Sequence, residues 1–371
     1  MLCLSTVLCQ QARQSDLENS MRGIALLAKE LGISTGTVSR ALNGKSDVSE
    51  ATRSRVLEAA QRIGYAPNQA ARALAQGQTR SVGFMIDLDP ETAASSDYFF
   101  MGVFDGVQSV LAEQGLDLLV MPCPTGQDHY SYLERFATRG VFDAMILAAV
   151  QRDDPRIGLL QSANIPFVTL GRSATCSDYA WIDLDFEGTA TAALQRLIGL
   201  GHRNIAVTVP KGEVNFGYIF LETYKTVLAR HGIAFDPKLV FETSRTEAAG
   251  YDVMSELLAL DVPPSAVLLI YEVTAIGLYR RLFEAGLEPG RDMAVVGFRD
   301  EPSIRFLMPS LTCFSLSLSS LGRAVGTALL AQIPRFQDKF PLGRVQLLQP
   351  LEMKPGDSDR LPPRAGLRLA E

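Results

Sequence analysis

From Ser81 to Phe298 short apolar runs alternate with longer amphipathic ones, and this alternation restricts the fold more than any other feature. "SVGFMID" (81–87) has the continuous apolar character of a buried strand, and "FMGVFDGVQSVLAEQGL" (100–116) has a helical period. Strands at 117–122, 142–150, 166–172 and 179–185 continue the pattern, with helices at 129–140 and 154–165. A second half places helices at 187–200, near 217–231, at 250–260 and at 274–287, and strands at 201–210, 238–243, 265–272 and 292–298. Such alternation predicts an α/β fold with parallel sheets carrying helices on both faces. Two such halves predict a ligand cleft outside the carboxyl ends of the strands.

The segment before Ser81 reads differently. Ile24, Leu27, Ala28 and Leu31 follow a helical period that Gly32 ends. Ser34 is a suitable N-cap for a second helix reaching about Leu42, and Asn43-Gly44 marks a turn. Ser49 caps a third helix, with Val56, Leu57, Ala60 and Ile63 expected on one face. Helix, glycine-containing turn, helix and supporting helix make a helix-turn-helix pattern. In "YAPNQAARALAQGQTR" (65–80), Pro67 and Asn68 can start a helix and Gly77 can end it. A helix so short is marginal alone, so this stretch is expected to be a linker that orders only in company.

Charge separates the same regions. The 371-residue chain has a net charge of −6, yet residues 21–80 carry nine Lys/Arg against four Asp/Glu. A basic head on an acidic body points to an anion-binding module joined to another function. The five cysteines are scattered, without disulfide or metal-ligand spacing, and the three histidines include no HExxH. No metal or cofactor is therefore expected, and a reducing, cytoplasmic setting is. No apolar run reaches the roughly 18 residues of a membrane span. "MLCLSTVLC" lacks a basic start and makes a poor signal peptide, so residues 1–20 are expected to be a disordered tail or an over-extended start.

"TVSRALNG", "VSEATRSRVLEAAQRIGYAPNQAARAL" and the strand beginning "SVGFMID" resemble the lac-repressor (LacI/GalR) family of bacterial transcription regulators. "YFFMGVFDGVQSVLAEQGLDLLV", "LIGLGHRNIAV", "RDMAVVGF" and "PSLTCFSLSLSSLGRAVGTALL" extend the resemblance over nearly the whole chain. "DPRIGLLQSANIPFVTLGRS" and "WIDLDFEGT" further resemble regulators of alpha-glucoside utilisation. The resemblance implies an all-α helix-turn-helix head (21–66), a hinge helix (67–80), a two-lobed body similar to periplasmic binding proteins (81–358) and a C-terminal tail (359–371).

It also implies site residues. Thr35, Gly36 and Arg40 occupy base-facing positions, Thr37, Ser39 and Asn43 are backbone contacts, and Ser34 lies in the same DNA-binding stretch. A bidentate arginine–guanine pair is worth roughly 1–3 kcal/mol of discrimination, which favours Arg40 as the reader over a mere phosphate contact. Leu74 falls where the family wedges a leucine into the minor groove, an apolar insertion that bends DNA. The other reading packs Leu74 on the body. Asn68, Ala71 and Arg72 lie beside it, against groove or backbone.

In the effector cleft the sequence departs from the family. The arginine of the usual R-x-x-G-F motif is Phe220, the usual Asn-Asp is Tyr271-Glu272, the first Asp of the usual G-F-D-D is Arg299, and the usual Asp-Asn is Asp185-Phe186. Two readings stay open. Tyr98, Phe99, Phe220 and Tyr271 could stack on a neutral saccharide, or Arg172 and Arg299, with Arg245, could pair with an acidic or phosphorylated ligand. Arg299 could instead form only a salt bridge with Glu272 or Asp300.

The expected function is a homodimeric regulator that binds a palindromic double-stranded operator. A saccharide effector would release it, most simply as a repressor of carbohydrate uptake or catabolism genes. Activation, or response to an acidic ligand, is the alternative. A solute-binding receptor is more distant, because it needs no basic head. No P-loop or G-x-G-x-x-G supports an enzyme.

Overall fold

The computed structural model describes residues 23–42, 47–63, 65, 79–87, 93–175 and 178–359, with only the backbone of residues 93–97. They fall into two compact units that divide between Thr79 and Arg80.

In the first unit residues 23–31 are helical (α1), followed by α2 (Thr35–Leu42) and α3 (Glu50–Arg62). Gly32 turns the chain at φ 64°, a conformation a side chain resists. The Ser34 hydroxyl accepts the Thr37 amide at 3.0 Å, and Ser49 caps α3 by accepting from Thr52 at 3.3 Å. Leu27, Val38, Val56 and Ala59 are buried together. The expected apolar face of α3 needs correction. Leu57 is half exposed and Ile63 partly so, because the contact runs through Val56, Ala59 and Ala60, three and four residues apart.

The second unit is doubly wound twice. Its first sheet contains β1 (Ser81–Asp87), β2 (Asp117–Cys123), β3 (Ala144–Leu147), β4 (Phe167–Leu170), β5 (Ala180–Leu184) and β11 (Gln346–Gln349). The order is β11-β5-β4-β3-β1-β2, all parallel. Helices α4 (Ala93–Ala112), α5 (His129–Thr138), α6 (Pro155–Ser162) and α11 (Leu318–Leu330) cover it. The second sheet is β7-β6-β8-β9, also parallel, from β6 (Ile205–Pro210), β7 (Val240–Thr243), β8 (Ala266–Leu268) and β9 (Ala294–Val296). It carries α7 (Phe186–Gly199), α8 (Asn215–Arg230), α9 (Glu247–Leu258) and α10 (Thr274–Glu284). The strands β3, β4, β6, β8 and β9 are buried along their whole length, so both their faces are apolar and no alternation shows.

The lobes exchange chain near residues 184–186, 315–318 and 349–352, where a small antiparallel pair, β10 (Cys313–Ser315) with β12 (Glu352–Lys354), sits on the second lobe. Helix α11 returns to the first lobe and crosses α4 closely. A Cβ on Gly322 would fall 2.1 Å from the Val103 carbonyl oxygen, and one on Gly106 2.2 Å from that of Ser319. Asp359, expected in the tail, is fully buried and accepts from Thr312 at 2.7 Å and from Arg196 at 3.0 Å, which holds it on the second lobe.

Candidate nucleic-acid interface and ligand cleft

Helix α2 buries Val38 and Ala41 and turns Ser34, Thr35, Gly36 and Arg40 to solvent. Thr37 and Ser39 are half-buried at the flanks. The Ser34 hydroxyl is engaged with the backbone and side chain of Thr37, so its first role is the cap. A Cβ on Gly36 would meet nothing closer than 3.6 Å, so a side chain would have room at this exposed position. Arg40 lies 3.5 Å from Asp47, with both side chains more than half exposed. Exposed pairs contribute about 0–1 kcal/mol, little enough for a phosphate or a guanine to displace Asp47. Asn43, Asn68, Ala71, Arg72 and Leu74 lie outside the described residues.

In the body, the carboxyl ends of both sheets face one cleft of about 320 Å³. The loops after β3 and β4 supply Ala148, Ala149, Val150 and Arg172, and those after β7, β8 and β9 supply Arg245, Tyr271, Glu272, Phe298 and Arg299. Phe99, Arg172, Tyr271, Glu272 and Arg299 were expected here and line it.

Three expected residues do not. Phe220 is fully buried and packs edge-on against Phe298 at 6.0 Å. The cleft receives Phe216, one helical turn nearer the start of α8. Asp185 caps α7, accepting the Gly188 amide at 2.8 Å; Asp183, two residues earlier on β5, lines the cleft. Tyr98 is nearly half exposed beside Arg305, away from the cleft. The missed aromatic residues form a column. Phe186 stacks on Phe216 at 4.9 Å and on Phe298 at 4.8 Å, and Phe216 meets Tyr271 edge-on at 6.4 Å.

Electrostatics of the cleft are largely internally balanced. Arg299 is buried, donates to Glu272 at 2.6 Å and to Glu301 at 3.3 Å, and sits 4.6 Å over the Phe99 ring. Arg245 reaches Glu272 and Glu301 at 3.3 and 3.4 Å. The expected salt bridge of Arg299 thus forms with Glu272; the carboxylate of Asp300 lies instead with Lys354 and Arg305. Arg172 pairs with Glu187 and lies 3.6 Å from Asp183. Burial resists ionisation of Glu272, but Arg299 and Arg245 overcome it and hold its pKa below the usual range. Glu301 takes the opposite course: burial and the charge of Glu272 push it up to about 6. Burial pushes Asp183 up to about 7 against the pull of Arg172. A charged residue between Ile182 and Leu184 in an otherwise apolar strand was the sequence signal for Asp183.

Among the described residues no helix is long and apolar enough to cross a membrane, and no group of three or more His, Cys, Asp or Glu could hold a metal ion.

Comparisons with known proteins agree with this layout. Residues 20–68 match the family described as "Bacterial regulatory proteins, lacI family", and residues 194–358 match a "Periplasmic binding protein-like domain". The HTH-type transcriptional regulator AglR of Rhizobium meliloti (strain 1021) is 34% identical over 312 residues, covering 83% of this chain and 86% of AglR. A solved complex of the transcriptional regulator CelR with cellobiose is 27% identical, with a TM-score of 0.66 over 90% of this chain and 99% of that one. The lac repressor dimer bound to operator and the anti-inducer ONPF shares the fold at a TM-score of 0.76 and 23% identity, covering 90% of this chain and 98% of that one.

Proposed function

Since the chain belongs to the lacI family of DNA-binding transcription regulators, we propose that it is a cytoplasmic homodimeric repressor of carbohydrate uptake or catabolism genes, released from a palindromic operator by a neutral saccharide of about disaccharide size. The observation that carries the effector class is the pairing of charge in the cleft. Arg172, Arg245 and Arg299 each have carboxylate partners already in place. At Arg245 and Arg299 an anionic ligand would have to displace the buried carboxylates of Glu272 and Glu301, and stranding those costs more than a new ion pair returns. Sugar hydroxyls need displace nothing, since paired guanidinium and carboxylate groups keep spare donors and acceptors. Phe99, Phe216 and Tyr271 offer apolar surface for the C–H faces of a sugar ring. The cleft volume and the cellobiose in the related CelR complex support a disaccharide.

On the DNA side, Arg40 and Thr35 are the proposed base readers, with Thr37, Ser39 and Asn43 holding phosphates and Ser34 capping the reading helix beside them. Leu74 with Asn68, Ala71 and Arg72 is proposed for the minor groove. The proposed domains are the head at 21–66, the hinge at 67–80 and the body from 81 to 359.

A thermal-shift screen over neutral sugars, acidic sugars and sugar phosphates tests the effector class. Operator retardation with each hit then tests release. Stabilisation by neutral disaccharides with loss of retardation is expected; stabilisation by anionic ligands alone overturns the saccharide.

A further inference from the structure

Two loops meet across the cleft where neither sheet requires it. Gln151, after β3, pairs antiparallel with Val214, after β6. The Arg152 amide donates to the Glu213 carbonyl at 2.8 Å, and the Asn215 amide to the Val150 carbonyl at 2.9 Å. The buried Asn215 side chain adds a third bond, from Nδ2 to the Arg172 carbonyl at 2.7 Å. The Arg152 guanidinium lies 4.7 Å over the Tyr218 ring.

The first-lobe edge is held by its own lobe. Ala149 sits at φ 49°, a left-handed conformation costly for a residue with a Cβ. Arg156 donates to the carbonyls of Ala148 and Ala149 at 3.2 and 3.1 Å. Its partner Asp154, at 2.6 Å, accepts the Gln151 amide at 3.1 Å, and both side chains are buried. A buried ion pair is costly to assemble, and this one spends its hydrogen bonds on loop backbone. It aims the Val150 carbonyl and the Arg152 amide at the second lobe. The contact also divides two spaces. Ala148, Ala149, Val150 and Val214 face the 320 Å³ cleft, while Arg152 and Asn215 face a second hollow of about 630 Å³ between α7 and α8.

We propose that residues 148–152 and 213–215 form a clasp between the lobes that closes this flank of the cleft without a ligand and governs passage of the effector, with Asp154 and Arg156 as its positioning residues. This rests on the reading of the cleft as the effector site, but the clasp itself is testable without any sugar. In an antiparallel ladder, a pair flanked by its hydrogen bonds, as Gln151 and Val214 are, has Cα atoms about 4.5 Å apart, within disulfide range. Full-length Gln151→Cys/Val214→Cys, oxidised mildly with no ligand, is expected to form a 151–214 disulfide mapped by mass spectrometry. The described native cysteines, Cys123 and Cys313, are buried and do not compete.

Asn215→Pro opens the clasp with little local harm. Position 215 is the first residue of α8, where proline is tolerated, and Val214 at ψ 128° suits a following proline. Both bonds donated by Asn215 are lost. Hydrogen exchange at the Arg152 amide is therefore expected to rise about tenfold or more with circular dichroism unchanged. Cellobiose dissociation, followed through Trp181 beside Arg172, should speed up in Asn215→Pro and slow in the oxidised double cysteine. A folded double cysteine that forms no 151–214 disulfide overturns the proposal, as does sugar exchange at one rate in its oxidised and reduced forms. If the native chain binds no sugar, the effector reading fails, and disulfide formation with Arg152 exchange still decides the clasp.

Discussion

Gly36 leaves an empty position on the exposed face of α2, and the backbone there imposes no glycine. Gly36→Gln is expected to shift operator preference, read by selection from a randomised duplex pool, while the melting temperature stays level or rises, since glutamine favours a helix over glycine. Unchanged preference would place Gly36 off the bases. Asp183 supports a prediction of opposite character. Its carboxyl is raised from 3.8 to about 7, so between those values the unfolded chain gives up the proton while the folded chain keeps it. The resulting penalty is absent below about pH 4, grows through the window and is full above about pH 7. Asp183→Asn should therefore raise the melting temperature relative to the native chain at about pH 8 and not at about pH 4; an equal gain at both would assign it to packing. Residue types in the cleft were legible in the sequence, as Tyr271, Glu272 and Arg299 show. Their register was not. Phe220 and Phe216 share a face of α8 one turn apart, and only the placement of the helix start at Asn215 decides which one lines the cleft.

At the scale of elements, helix and strand identities followed from periodicity, and the structure shortened many of them. β3 spans Ala144–Leu147 because the chain turns into the cleft at Ala148, although apolar character continues to Val150. Helix α4 starts earlier than its amphipathic pattern, at Ala93. The first crossing between the lobes ends on the cap of α7 by Asp185. Asp185→Ala should cost about 0.5–2 kcal/mol in denaturant unfolding, the usual worth of an N-cap, and leave sugar affinity within about twofold. A larger loss of affinity would return Asp185 to the cleft. The crossing of α4 and α11 depends on two glycines far apart in sequence, Gly106 and Gly322, and no local pattern announces that these must meet.

For the whole molecule, charge separation has a measurable consequence. Residues 21–80 carry nine basic and four acidic groups within a chain of net −6. Operator affinity should therefore fall steeply with salt, by about a thousandfold or more between 50 and 200 mM for a dimer making six or more phosphate contacts. A shallow dependence would mean that the basic groups do not face phosphate. Positive charge is thus concentrated in the head, which is the region expected to meet phosphate.

The sequence by itself determined the alternating α/β plan, the basic helix-turn-helix and the family, because periodicity, capping and charge are local properties that survive in one dimension. Tertiary structure decided what depends on residues distant in the chain. It set Arg245 and Arg299 on the same two glutamates, made Phe186, Phe216 and Phe298 one column, buried Asp183 so that its pKa rises to about 7, and joined Gln151 to Val214 across the cleft. Each arises where strand ends from two sheets converge, and that convergence follows from the winding order of the sheets and the crossings near residues 184–186, 315–318 and 349–352.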